Sequence, residues 1–116
     1  MTIPRVFEQF EGEPLSSRLA ALSAHLHQIA DLARNVAVSD RLPVLMRKGQ
    51  LMIDVTAADL EPNTASELVD ILRMLAAWPS AWPYAQHNVS LRSLLHLLAS
   101  KWAGIVHDHA AALDVP

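Results

Sequence analysis

The sequence predicts an all-α protein, a small bundle of three long helices with one or two short ones. Two stretches, residues 15–36 and 91–112, repeat apolar residues at alternating spacings of four and three, the pattern of a helix that packs along one face. Between them, Thr64 and Glu67 form a helix-start pattern ahead of further apolar residues at helical spacing. The 116 residues are enough for one domain with a core and too few for two ordinary domains.

The composition is poor in charge. Apolar residues make up 52% of the chain and charged residues 18%, against about 25% in a typical soluble domain. Such a surface predicts a permanent interface, either with a second copy or with another protein. The net charge is −3, and the basic residues are thinly spread, with the densest patch at Arg41, Arg47 and Lys48. We therefore expect no nucleic-acid binding.

No apolar run reaches the ~18 residues that cross a bilayer, and the N-terminus lacks the apolar core of a signal peptide. We therefore expect a cytoplasmic protein without membrane contact. The chain has no Cys, which excludes disulfides, thiolate metal sites and a Cys nucleophile.

Residues 1–13 are predicted to form an N-terminal arm, and residues 14–116 a single helical domain. Phe7 and Phe10 lie at near-helical spacing in a polar context. The arm either covers the core of its own domain or reaches a second protein.

The first long helix is predicted from Pro14 to Val38, since proline is tolerated in a first turn. Alanines widen its apolar surface beyond one stripe, so we expect neighbours on two sides, in a bundle or a dimer. The predicted self-association residues on its heptad stripe are Leu15, Leu19, Leu22, Leu26 and Ile29, with Ala33 and Val36 completing the stripe.

Residues 39–49 are predicted as a short helix ended by Gly49. In residues 50–56, Leu51, Ile53 and Val55 alternate with other residues, the only credible strand pattern in the chain. A lone strand leaves its backbone groups unpaired. The segment therefore either pairs with the same segment of a second copy or with a partner protein, or it is not a strand. We favour the last reading, an extended connector or a helical turn.

The second long helix is predicted to begin at the Thr64–Glu67 capping box and to stop at Trp78, because Pro79 lacks a backbone donor. Residues 77–84 read Ala-Trp-Pro-Ser-Ala-Trp-Pro-Tyr and are predicted to form a hinge. Its aromatic side chains either fold back onto the core or present a surface for a protein partner, since Trp and Tyr dominate interface hot spots. The predicted partner-binding residues are Trp78, Trp82, Tyr84, Phe7 and Phe10.

The third long helix is predicted from Asn88 or Ser90 to about Leu113. Gly104 lies inside it and costs ~1 kcal/mol relative to Ala, which indicates close approach of a neighbour. The predicted self-association residues on its stripe are Leu95, Leu98, Trp102, Ile105 and His109, with Leu91 and Ala112 at its ends.

Six His are the candidates for chemistry, and five are predicted to face solvent. Two pairs of His are separated by two residues along the chain, His25 with His27 and His107 with His109. On a helix such residues point about 200° apart, so neither pair can coordinate one metal ion. His27 and Asp31 are better spaced but need ligands from another helix. His109 lies on an apolar stripe. It is hydrogen-bonded within the core, lies at a frayed helix end or sets the register of two helices at an interface; the alternative is an interface that is sensitive to pH.

No Gly-x-Ser-x-Gly elbow and no Gly-rich phosphate loop occur, so no enzyme activity and no cofactor are predicted. The predicted function is a non-enzymatic regulatory protein that binds and sequesters or tethers another protein, such as an anti-activator acting on a transcription regulator. We also expect a homodimer. The alternatives are a structural subunit of a larger assembly, or a metal- or small-ligand-binding bundle that uses His25, His27, Asp31, His107 and His109.

Overall fold

The computed structural model describes residues 6–35 and 40–113, with side chains from Glu8 onward. Its regular secondary structure is helical throughout the described residues, which confirms the all-α prediction. The described residues form five α-helices: α1 (Val6–Glu11), α2 (Leu15–Ala33), α3 (Leu42–Ala57), α4 (Pro62–Ala85) and α5 (Val89–Leu113). The bundle therefore has four long helices and one short helix, rather than three long ones.

Helix α2 has the most extensive packing of the described helices, and it packs against both α3 and α5. Helix α3 also packs against α4, α4 touches α5 more lightly, and α1 lies on α3. The predicted two-sided burial of the first long helix is thus met within one chain. The core side chains of α2 with no exposed area are Leu19, Leu22, Leu26, Ile29 and Ala33.

Helix α2 ends at Ala33, earlier than predicted, and residues 36–39 lie outside the described residues. The last carbonyls of a helix lack partners within it. Two side chains of α5 supply them here: Arg92 donates from Nε to the Ala33 oxygen (2.9 Å), and His96 Nδ1 lies 2.8 Å from the Ala30 oxygen. The end of α2 is therefore stabilised by a helix distant in sequence.

Helix α3 corrects two predictions. Gly49 does not end a helix, and residues 50–56 are not extended, because one helix runs through both. Gly49 is buried, and a Cβ added there would lie 3.1 Å from Leu75 Cδ1, so its small size admits α4. The residues that α3 buries recur at helical spacing, which outweighs the short alternation that suggested a strand: Leu42, Met46, Gly49, Met52, Ile53, Val55 and Thr56.

Helix α4 corrects the predicted hinge. It continues to Ala85 with Pro79 and Pro83 inside it. Trp78 and Trp82 are one helical turn apart and continue the buried stripe, so the repeat places its two tryptophans on one face of a helix. The buried residues of α4 are Leu68, Ile71, Leu75, Trp78, Trp82 and Ala85.

The helix starts were predicted with mixed success. Asn88 caps α5 as expected, since its Oδ1 accepts from the Leu91 N–H at 3.0 Å. The prediction of a Thr64–Glu67 capping box is wrong. The Glu61 carboxylate caps α4 instead, by accepting a hydrogen bond from the Thr64 N–H at 2.7 Å. Glu67 instead contacts His109 on α5, with 2.7 Å between Oε2 and Nε2.

Candidate binding groove

An open groove of about 780 Å³ lies between α1, α2 and α3. Its volume falls within the range of about 300–1,000 Å³ that is usual for ligand sites. The apolar side chains that line it are Phe10 from α1, Ala21 and Ala24 from α2, and Val44, Leu51 and Met52 from α3.

The α3 wall of the groove has an outward apolar stripe. Val44 and Leu51 are seven residues apart, two helical turns along one face. The Val44 side chain is 68% exposed and Leu51 is half-buried. A helix usually turns such residues toward a neighbour. The wall therefore presents apolar surface to whatever enters the groove.

The rim of the groove is cationic. Arg47 and Lys48 line it from α3 and are exposed, and Gln28 lines it from α2. Among the described residues, neither cation forms an ion pair. Although the chain has a net charge of −3, these two cations make the groove attractive to a negatively charged group.

His25 lies in the groove wall and is only 7% exposed, so the expectation that it faces solvent is wrong. Its Nε2 lies 2.6 Å from the main-chain oxygen of Leu45. Because a carbonyl only accepts, the neutral ring carries its proton on Nε2 and donates it. Burial lowers the pKa of His25, and Lys48 lowers it further, while the bond to Leu45 acts in the opposite direction.

The residues of the metal hypothesis do not meet. His27, Asp31 and His107 are exposed, and His109 contacts Glu67. Within residues 6–35 and 40–113, no group of three or more His, Asp or Glu side chains is placed to hold a metal ion.

The predicted partner-binding residues separate in the structure. Trp78 and Trp82 are buried in the core, whereas Tyr84 is 70% exposed. Phe10 packs against the core and lines the groove, and the Phe7 side chain lies outside the described residues. Of the four residues in this set whose side chains are described, Phe10 alone lines the groove.

The predicted self-association residues also divide. On α2, only Leu15 keeps exposed area; Leu19, Leu22, Leu26 and Ile29 are fully buried within the chain. On α5, Leu95 and Trp102 are buried. The half-buried residues Leu98, Ile105 and His109 lie on the side toward α4.

Sequence reasoning missed the groove as a site, although its parts were visible. In the sequence, Arg47 and Lys48 stand out as part of a sparse basic patch and as the residues before Gly49. The spacing of Val44, Lys48 and Leu51 at four and three residues is the signal that could have found the α3 wall, once residues 42–57 are read as one helix.

No protein-family model, curated protein or solved structure matches the chain. In the described part of the chain, no helix has the length and apolar character needed to cross a membrane.

Proposed function

We propose that the protein is a non-enzymatic regulatory protein that binds an acidic amphipathic helix of another protein in the α1–α2–α3 groove, and so sequesters or tethers its partner. The supporting observation is an apolar groove with an unpaired cationic rim on a chain of net negative charge. Recognition of an amphipathic helix by an apolar groove is a common mode of peptide binding.

The residues that line the groove favour a partner helix with apolar and acidic side chains. Apolar side chains at helical spacing would pack on Val44, Leu51 and Met52, and Asp or Glu beside them would meet Arg47 and Lys48. The apolar contacts supply affinity, and the opposite charges supply orientation and association rate. An anti-activator that holds a transcription regulator in a cytoplasmic complex is one function of this class.

The experiment titrates the full chain with a helical peptide that carries Leu on one face and Glu on its flanks. The matched control peptide carries Lys in place of each Glu. We expect NMR shift changes at Val44, Leu51 and Met52 with the acidic peptide and none with the basic one. Equal binding of both peptides would overturn the charge argument.

Variants locate the binding. Val44→Glu places a carboxylate on the groove wall without disturbing the core, since Val44 is exposed. We expect it to weaken binding of the acidic peptide at least about tenfold, a cost of about 1.4 kcal/mol. The control is Val89→Glu, at an exposed valine of α5 outside the groove. Equal loss in both variants would remove the groove from the proposal.

A second candidate is a small-ligand-binding bundle, favoured by the volume and concave shape of the groove. Its ligand would be an amphipathic anion, with an apolar tail on Leu51 and Met52 and its charge near Lys48. Dodecanoate serves as the probe in the same titration. Shifts at the groove residues with dodecanoate and none with the acidic peptide would favour this candidate over a protein partner.

A further inference from the structure

Helix α5 has a second stripe at heptad spacing on its exposed side, which borders α4 at Lys101, where Lys101 lines a pocket with Glu67 and Asp70. Leu94 and Leu97 belong to it and are 45% and 66% exposed. The stripe differs from the one predicted for self-association. Its members succeed one another at spacings of four and three and are all exposed: Ser90, Leu94, Leu97, Lys101, Gly104, Asp108 and Ala111.

The charges on this stripe select one orientation for a second helix. Lys101 and Asp108 are two helical turns apart, and within the described residues neither forms an ion pair. In a parallel pair of α5 helices, each charge would lie opposite its own copy and repel it. In an antiparallel pair with its two-fold axis between them, each Lys101 lies within reach of the other copy's Asp108.

Gly104 lies between these two charges. A Cβ added there would meet no atom within 4 Å, so the chain's own packing does not require glycine. A glycine inside a helix is destabilising by roughly 0.5–1 kcal/mol relative to alanine. Close approach of a second backbone at this point would account for it.

We propose that a second copy of this chain packs antiparallel along residues 97–111 of the exposed α5 stripe, with reciprocal Lys101–Asp108 pairs on either side of Gly104. The interface is isologous, because the same residues serve both copies. It uses no residue of the groove, to which α5 contributes nothing. The proposed dimer and the proposed partner site can therefore be tested independently of each other.

Sedimentation of the full chain over a concentration series tests the proposal through charge exchange. We expect a monomer–dimer equilibrium in the wild type. Lys101→Glu and Asp108→Lys should each raise the dimer Kd about tenfold or more, because two attractive pairs become repulsive. The double variant, Lys101→Glu with Asp108→Lys, should restore the dimer to about the wild-type Kd. Both residues are exposed, so thermal unfolding serves to show that each variant is folded.

Apolar substitutions supply the control. Leu97→Glu should weaken the dimer and leave acidic-peptide binding in the groove unchanged. Val44→Glu should weaken acidic-peptide binding and leave the dimer unchanged. A wild type that stays monomeric at all concentrations would overturn the proposal. So would a dimer that is indifferent to Leu97→Glu, or a double charge variant that is no better than the single ones.

Discussion

The Gln50 side chain donates a hydrogen bond from Nε2 to the main-chain oxygen of Leu75, over 3.1 Å, and so joins α3 to α4. In an uninterrupted helix, that oxygen would accept from the N–H of residue 79. Residue 79 is proline and has none. Gln50 therefore replaces the donor that Pro79 removes, which lets α4 continue to Trp82 and bury it.

This relationship predicts a coupling between two positions. Gln50→Leu should lower the free energy of unfolding by about 1–2 kcal/mol, because the Leu75 oxygen loses its donor. In a Pro79→Ala background the loss should shrink, since alanine at that position provides a backbone N–H. Urea unfolding of the four proteins measures it as a double-mutant cycle. Equal losses in both backgrounds would contradict the relationship.

Arg18 of α2 is 5% exposed and is expected to be the most sensitive charged residue of the core. Its Nη1 donates to the Val55 oxygen (2.7 Å) and to Asp59 Oδ2 (2.9 Å), and its Nε to the Glu13 oxygen (3.0 Å). Arg18→Met should cost about 2–3 kcal/mol in urea unfolding, because these acceptors lose their donor.

Two substitutions separate geometry from charge at this site. Arg18→Lys should recover only part of the loss, since an ammonium lacks the planar fork that reaches three acceptors. Asp59→Asn should cost less than about 1 kcal/mol, because the Asp59 side chain is 53% exposed. Full rescue by lysine would show that charge alone matters here.

His25 predicts a loss of stability in mild acid. Burial lowers its pKa in the folded state below the ordinary value of 6.5. As pH falls through 6.5, the unfolded chain therefore binds a proton at this position before the folded chain does. The contribution of neutral His25 is fully present above that pH and is lost progressively below it, until the folded-state pKa is passed.

Unfolding measured from about pH 7.5 to about pH 5, a range that brackets the ordinary histidine pKa, should show this slope, and His25→Gln should flatten it. The comparison variant is His27→Gln, which removes a histidine from an exposed position on the same helix. A wild-type slope that survives in His25→Gln would assign the titration to another group.

The glycines of α3 and α5 predict different responses to the same substitution. Gly104→Ala should raise the free energy of unfolding by up to about 1 kcal/mol at concentrations where the chain is monomeric, because open space surrounds the new methyl group. Gly49→Ala should not show this gain, since its Cβ would meet Leu75 at 3.1 Å and His25 at 3.4 Å. Equal gains at both positions would mean that α4 yields freely around residue 49.

Much of the fold could be predicted from the sequence where local periodicity and burial agree. The apolar stripe of residues 15–33 and the Asn88 start of α5 are examples, because a repeat near 3.6 and a capping side chain act within one helix. The failures share a different cause. Local preference predicts helix ends at Pro79 and Gly49 and a capping role for Glu67. It also divides residues 42–57 between two elements, and this division hides the groove.

The sequence by itself determined that this chain forms helices, which faces of them are apolar, and that charge is scarce on its surface. Only the tertiary structure decided that α4 continues past Pro79, since the donor that replaces the missing N–H of this proline comes from Gln50, 25 residues earlier. The same is true of the end of α2, which depends on Arg92 and His96. Hydrogen bonds between distant residues leave no periodic trace in a sequence, whereas burial along a helix does.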